Sequence, residues 1–162
     1  MQRLYTPWRN KYITRDKTSE GCAFCDALAK PDGPENLIVH RGELAFVILN
    51  LYPYSNGHLV IVPYLHTSIL TDLPAATLSE MAVLLQRGMQ VLTELYKPQG
   101  FNLGVNQGTA AGAGIAGHVH AHIVPRWVGD ANFISVIGQT RILPETLEQT
   151  YAKVSAAWME TQ

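Results

Sequence analysis

Apolar and polar residues recur along this chain with two different periods, and each period predicts a different kind of element. Leu37-Ile38-Val39-His40 and Leu44-Ala45-Phe46-Val47-Ile48-Leu49 read as two strands joined by the turn Arg41-Gly42-Glu43, with Asn50 ending the second. Tyr52-Pro53-Tyr54-Ser55-Asn56-Gly57 is loop chemistry, and His58 to Pro63 is a third strand followed closely by His66. The period then changes. Leu78, Met81, Ala82, Leu85, Met89, Leu92 and Tyr96 fall at helical spacing, with Asp72 as the expected N-cap, Pro74 in the first turn, and Pro98 and Gly100 as stops. Phe101 to Val105 predicts a fourth strand. The Gly- and Ala-rich run from Asn106 to Gly117 excludes a regular element. His118 to Val124 alternates again and predicts a fifth strand. Leu147, Tyr151, Val154 and Trp158 predict a last helix after Pro144, and a short helical stretch from Cys22 to Lys30 is broken by Pro31-Asp32-Gly33-Pro34. Hairpin-like neighbours without βαβ alternation predict an α+β fold: an antiparallel sheet of about five strands with two main helices. Residues 1–162 are expected to form one domain, with 1–20 as an N-terminal arm of interleaved aromatic and basic residues and 143–162 as the C-terminal helix.

Composition narrows the function. Of 162 residues, 47% are hydrophobic and 15% charged, a core-forming balance. A net charge of −1 argues against a binder of polymeric nucleic acid, which needs a basic face. No apolar run is long enough for a membrane span and the first eight residues lack a secretory core, so a cytoplasmic location is expected. The two cysteines, Cys22 and Cys25, form a CxxC pair. In a reducing compartment that spacing favours metal binding or redox chemistry over a structural disulfide.

The most informative stretch is Gly117-His118-Val119-His120-Ala121-His122-Ile123-Val124-Pro125, which holds three of the six histidines. On a strand their side chains project to one face, about 6–7 Å apart, while Val119, Ala121 and Ile123 face a core. A solvated polar face would more cheaply use Thr, Lys or Glu. Two readings stay open: metal ligands on one strand, or a nucleophilic imidazole with two attendants. Cys22 and Cys25 need two further ligands for a tetrahedral site, and His66 and His118 are the candidates, set against a redox pair or two packed thiols. The loop Asn106-Gln107-Gly108-Thr109-Ala110-Ala111-Gly112-Ala113-Gly114 has no bulky side chain after Gln107, so its amides can approach an anion. Without a Walker lysine it is not a P-loop. Together these features suggest phosphoryl chemistry on histidine. A neutral imidazole attacks phosphorus if its other nitrogen is held as N–H by an acceptor. His120, the central ring, is the expected nucleophile. His118 and His122 would orient it, assist the leaving group or bind metal.

The run His118 to Val124 resembles the defining motif of the histidine triad (HIT) superfamily. The resemblance extends to Asn50, to Gly57-His58-Leu59-Val60-Ile61-Val62-Pro63 with His66, to Asn106-Gln107-Gly108, and to the tail from Pro125 to Phe133 with 140–145. That tail is similar to a bacterial branch that includes diadenosine tetraphosphate phosphorylases and HIT hydrolases. The resemblance implies a homodimer, with a tetramer as the larger alternative, and a curved sheet in each subunit. It implies a covalent nucleotidyl-histidine at His120, formed by attack on an α-phosphate, with His58 bonded to His122. Asn50 would hold the ribose hydroxyls. Phe24, Ile48 and Leu51 would line the purine pocket, and Asn106 with Gly112, Ala113 and Gly114 would hold the α-phosphate. Metal-containing relatives imply zinc on Cys22, Cys25, His66 and His118, and magnesium is a further candidate with the polyphosphate. Relatives often carry Gln or Ser just before the triad. Here Ala113-Gly114-Ile115-Ala116-Gly117 stands there, which would leave that contact to backbone amides. The expected substrates are adenine dinucleotides with phosphate or water as acceptor. Nucleoside phosphoramidates are the alternative substrate, and a catalytically weak nucleotide-binding module is the alternative of another class.

Overall fold

The computed structural model describes residues 21–130 and 144–160. The expected arm at 1–20 lies outside them, as do residues 143, 161 and 162 of the expected C-terminal segment. Five strands form one antiparallel sheet in the order β1-β2-β3-β5-β4: β1 is Ile38–Arg41, β2 Ala45–Leu49, β3 Leu59–Pro63, β4 Gly100–Val105 and β5 Ala121–Arg126. Among the described residues three helices accompany it: α1 (Ala23–Leu28), α2 (Ala75–Tyr96) and α3 (Leu147–Glu160). The α+β class expected from the hydrophobic periods is therefore the observed one. No helix among the described residues is long and apolar enough to cross a membrane.

The pairings assign the two faces of the sheet. Ile48 lies opposite Val60, Val60 opposite His122, and His122 opposite Gly104, so these four share a face. Leu49, Leu59, Ile123 and Leu103 form the adjacent row on the other face, against which α2 and α3 pack. Gly88 explains how closely α2 approaches. A Cβ there would stand 2.7 Å from Ile123 Cδ1. Glycine inside a helix costs about 1 kcal/mol relative to alanine, and close packing on the sheet offsets that cost. The buried stripe of α2 is accordingly Thr77, Met81, Leu84, Gly88, Val91 and Leu92. It keeps Met81 and Leu92 of the expected stripe but is turned by about one position from Leu78, Ala82, Leu85 and Met89, with Gly88 at the closest approach to the sheet. Leu78 is exposed.

The start of α2 also differs from expectation. Pro74 is the N-cap, without a side-chain cap, and Asp72 closes a short 3-10 turn (Leu70–Asp72). The Asp72 carboxylate accepts a hydrogen bond from Thr67 Oγ1 at 3.3 Å instead. The helix ends as expected before Pro98, with Lys97 in the left-handed region.

Candidate active site

The strand that carries the histidines is shorter than its alternation suggested. β5 begins at Ala121, so His118 and His120 lie in an extended lead-in rather than in the ladder. The register that pairs Ala121 with Ile61 would set Val119 against Pro63, which has no N–H to donate. The ladder stops there, and Val119 N–H bonds to Thr67 O at 2.7 Å. Val119, Ala121 and Ile123 still enter the core. The rings still run along one side, with His120 and His122 at 4.8 Å between centroids.

Each ring has a different environment. His118 is fully buried; its Nε2 lies 2.8 Å from Pro63 O, and its Nδ1 lies 3.3 Å from Cys22 Sγ and 3.8 Å from Cys25 Sγ. The carbonyl cannot donate, so Nε2 carries the proton and Nδ1 presents a lone pair to the thiols. Burial pushes this ring below the usual range, which keeps it neutral. His66 Nδ1 lies 3.3 Å from Cys25 Sγ. The ligand atoms of Cys22, Cys25, His66 and His118 all lie within 4.8 Å of one another. Tetrahedral zinc with Zn–S about 2.3 Å and Zn–N about 2.0–2.1 Å requires S···N edges of about 3.6 Å. The observed 3.3–3.8 Å contacts therefore suit that ion. The Pro63 carbonyl supplies the outer contact that fixes a metal-binding imidazole.

His120 is 4% exposed, and its Nδ1 stands 2.7 Å from the carbonyl oxygen of His118. Nδ1 is thus the protonated nitrogen and Nε2 the one with a free lone pair. The acceptor that sets this tautomer is the main chain, not a flanking imidazole as the sequence suggested. Burial lowers the ring's basicity, opposed by the hydrogen bond to His118 O, so the lone pair is free at neutral pH.

His122 is held from the opposite end. Tyr54 N–H donates to His58 Nδ1 at 3.1 Å, which leaves the His58 proton on Nε2. That nitrogen lies 3.0 Å from His122 Nδ1 and donates to it, so His122 carries its own proton on Nε2. Burial, reinforced by His120, lowers His122 from the usual 6.5 to about 4. Gly57, at φ 76°, makes the turn that delivers His58; a Cβ there would stand 2.7 Å from Leu92 Cδ2.

The other expected residues are more scattered. Phe24 is buried with its ring edge-on to His118 at 5.6 Å and to His120 at 4.9 Å. Ile48 is buried in the core on the histidine face of the sheet. Neither borders the cavities of about 230 and 800 Å³ beside His58 and His122. Leu51 borders a small cavity of about 230 Å³ that also reaches His58. Asn50 accepts a hydrogen bond from Tyr52 N–H at 2.9 Å and lies 3.4 Å from His58 Nε2. The anion loop is partly used by its own turn. Gly112 N–H bonds to Thr109 O at 3.0 Å and Ala113 N–H to Gly108 O at 3.3 Å, so two of the three amides expected at a phosphate face inward. Asn106 lines a cavity of about 800 Å³ together with His122. Tyr54, whose amide fixes the His58 tautomer, was not a sequence candidate; its place four residues before a histidine in a tight loop was the available signal.

Residues 32–128, well over half of the chain, match the HIT domain. The chain belongs to the HIT domain family. A Mycobacterium tuberculosis protein named AP-4-A phosphorylase is 39% identical over 165 residues, covering 98% of this chain and 85% of that protein. The asymmetrical bis(5'-nucleosyl)-tetraphosphatase of Schizosaccharomyces pombe is 29% identical over 57% of this chain and 50% of its own length. Among solved structures, a zinc-bound histidine triad protein from Mycobacterium smegmatis aligns with a TM-score of 0.69 at 30% identity, covering 87% of this HIT chain and 95% of that one.

Proposed function

We propose that this HIT protein is a nucleotidyl transferase that cleaves dinucleoside polyphosphates of the diadenosine tetraphosphate kind at the α-phosphate, with phosphate as acceptor. The observation that carries the reading is the His120 tautomer. Its Nδ1–H is held by the His118 carbonyl at 2.7 Å, so Nε2 can attack without a separate base. The Nε2 lone pair forms a bond to the α-phosphorus as the bridging P–O bond breaks and its electrons leave with the nucleoside triphosphate oxygen. His122, a donor at Nε2, stabilises the charge that grows on the phosphates. A phosphate oxygen then attacks the same phosphorus, the N–P bond breaks with its electrons returning to His120, and ADP departs. The 39% identity to the mycobacterial phosphorylase supports phosphate over water as acceptor.

Cys22, Cys25, His66 and His118 hold zinc in this reading. When bound, that ion supplies a structural cross-link between α1, the segment after β3 and the histidine segment. Asn50, Ile48, Leu51 and Phe24 sit around the adenosine, and Asn106 with Gly114 contacts phosphate. Magnesium accompanies the polyphosphate. A homodimer forms through β4, an edge strand whose Leu103 and Val105 are exposed. The free thiols of Cys22 and Cys25 suit the reducing cytoplasm.

Product analysis tests the reaction. Diadenosine tetraphosphate incubated with phosphate is expected to give ATP and ADP, with no turnover when phosphate is left out. AMP and ATP without phosphate would make the protein a hydrolase, and no cleavage under either condition would leave a nucleotide-binding module.

A further inference from the structure

The cavity of about 800 Å³ beside His122 is lined by His122, Asn106, Tyr54 and Leu103 among others, but by none of the residues placed around the adenosine. Its base is the histidine face of β4 and β5: Asn102, Gly104, His122 and Val124. Tyr54, Tyr96 and Trp127 supply aromatic walls. Tyr54 stacks near His122, with ring centroids 6.3 Å apart. The volume is that of a site for a drug-sized ligand, about 300–1,000 Å³.

The charges in this wall decide what it suits. Arg126 forms a fork on the Asp130 carboxylate, with contacts of 2.6 and 2.7 Å, and donates to Asn102 Oδ1 at 2.7 Å. Glu145 is paired with Lys153 and accepts from Tyr96 Oη at 2.8 Å. Among the described residues of its wall the cations and carboxylates are already matched, which makes the cavity a poor trap for a free anion. Aromatic faces beside amide side chains instead suit an uncharged heterocycle with its sugar. A donor that suits a phosphate, His122 Nε2–H, lies in the same wall.

We infer that this cavity receives the nucleoside end of the departing half of a dinucleotide, its base among Tyr54, Tyr96 and Trp127 and its polyphosphate passing His122 toward His120. The inference rests on the nucleotidyl-transfer reading and adds to it a subsite that selects the leaving group. An adenylate with a small leaving group would use the same nucleophile and leave this space empty.

Gly104 gives the test. It lies directly opposite His122, and a Cβ built on it meets no atom within 4 Å. Its backbone is ordinary strand, so valine fits the conformation and projects into the cavity. The full-length protein with Gly104→Val would be compared with wild type on diadenosine tetraphosphate and on adenosine 5'-phosphoramidate, which deliver the same adenylyl group from a large and a small leaving group. The ratio of kcat/KM between the two substrates is expected to fall by about tenfold or more. Trp127→Leu, at another wall, should move the ratio the same way and serves if the valine variant does not fold. An unchanged ratio in both variants, or equal losses on both substrates, overturns the inference. His120→Ala separates the two levels. Loss of both reactions in that variant supports the covalent reading whatever the ratio shows, whereas full turnover of both would remove that reading itself.

Discussion

The two ends of the histidine row use the same residue type at the same spacing for different purposes. At one end His118 turns Nδ1 toward two thiols and His66, ligands drawn from α1 and from the segment after β3. At the other, His122 has no thiol near it and accepts from His58, whose own tautomer is set by the Tyr54 amide. His120 lies between and donates its Nδ1–H to neither ring but to the His118 carbonyl. A row of identical side chains thus acquires three roles from what the rest of the chain places opposite each. The first end gathers four side chains that could hold a cation, the second works as a relay of hydrogen bonds, and the middle ring inherits its orientation from the first.

Perturbing the ends separately should break that comparison in opposite ways. The largest effect belongs to the thiol end. Removing zinc with a chelator is expected to cost about 4 kcal/mol or more of stability, about 8–16 °C in melting temperature for a chain of this size. Thermal melts of metal-replete and chelated protein check this, and equal melting temperatures would deny the ion a structural role. At the other end, His58→Ala leaves His122 Nδ1 without its donor. It should cost about 2 kcal/mol and lower kcat about a hundredfold while zinc content stays at the wild-type level. Denaturant titration, steady-state kinetics and elemental analysis read the three quantities.

Comparable in stability, but without the loss in kcat, is acid sensitivity at His122. The unfolded ring takes up a proton near pH 6.5, but the folded ring resists until about 4, so the unfolded state binds more protons between these values. Stability should therefore fall as pH drops from 6.5 to 4, by about 2 kcal/mol after allowance for partial exposure. The difference in pH–stability curves between wild type and His122→Gln isolates this share. The smallest effect concerns the link between the ends. Phe24→Leu loses two edge-on ring contacts and should cost about 1 kcal/mol. If Phe24 orients His120, kcat falls in that variant; if it lines the base pocket, KM rises instead.

Much of this arrangement was legible in the chain. Apolar runs bounded by turn residues marked the first four strands, alternation marked the fifth, and three histidines at every second position gave the shared side of the row. The CxxC pair with His66 and His118 assembled as a cluster because side-chain chemistry alone restricts what can complete a thiol pair. Other features were hidden because they depend on main-chain atoms. The carbonyls of His118 and Pro63 set two ring tautomers, and every residue has a carbonyl, so composition carries no trace of it. Pro63 ends the β3–β5 ladder, which follows only once the register with Ala121 is known. The inward face of α2 was only partly legible: Met81 and Leu92 are buried as expected, but Thr77, Leu84, Gly88 and Val91 were not in the expected stripe, and at Gly88 it is the missing side chain that lets the helix approach the sheet. The cavity at Gly104 was invisible for a similar reason: it is made by a missing side chain on one strand opposite a ring on another.

The central claim is that His120 Nε2, and no other nitrogen of the row, becomes bonded to phosphorus. Quenching the protein within its first turnover of diadenosine tetraphosphate, in the absence of added phosphate, and mapping the modified peptide by mass spectrometry tests it most directly. The account predicts one adenylyl group on His120, lost on addition of phosphate and never formed in His120→Ala. An adduct on His118 or His122, or cleavage that persists in His120→Ala, would contradict it.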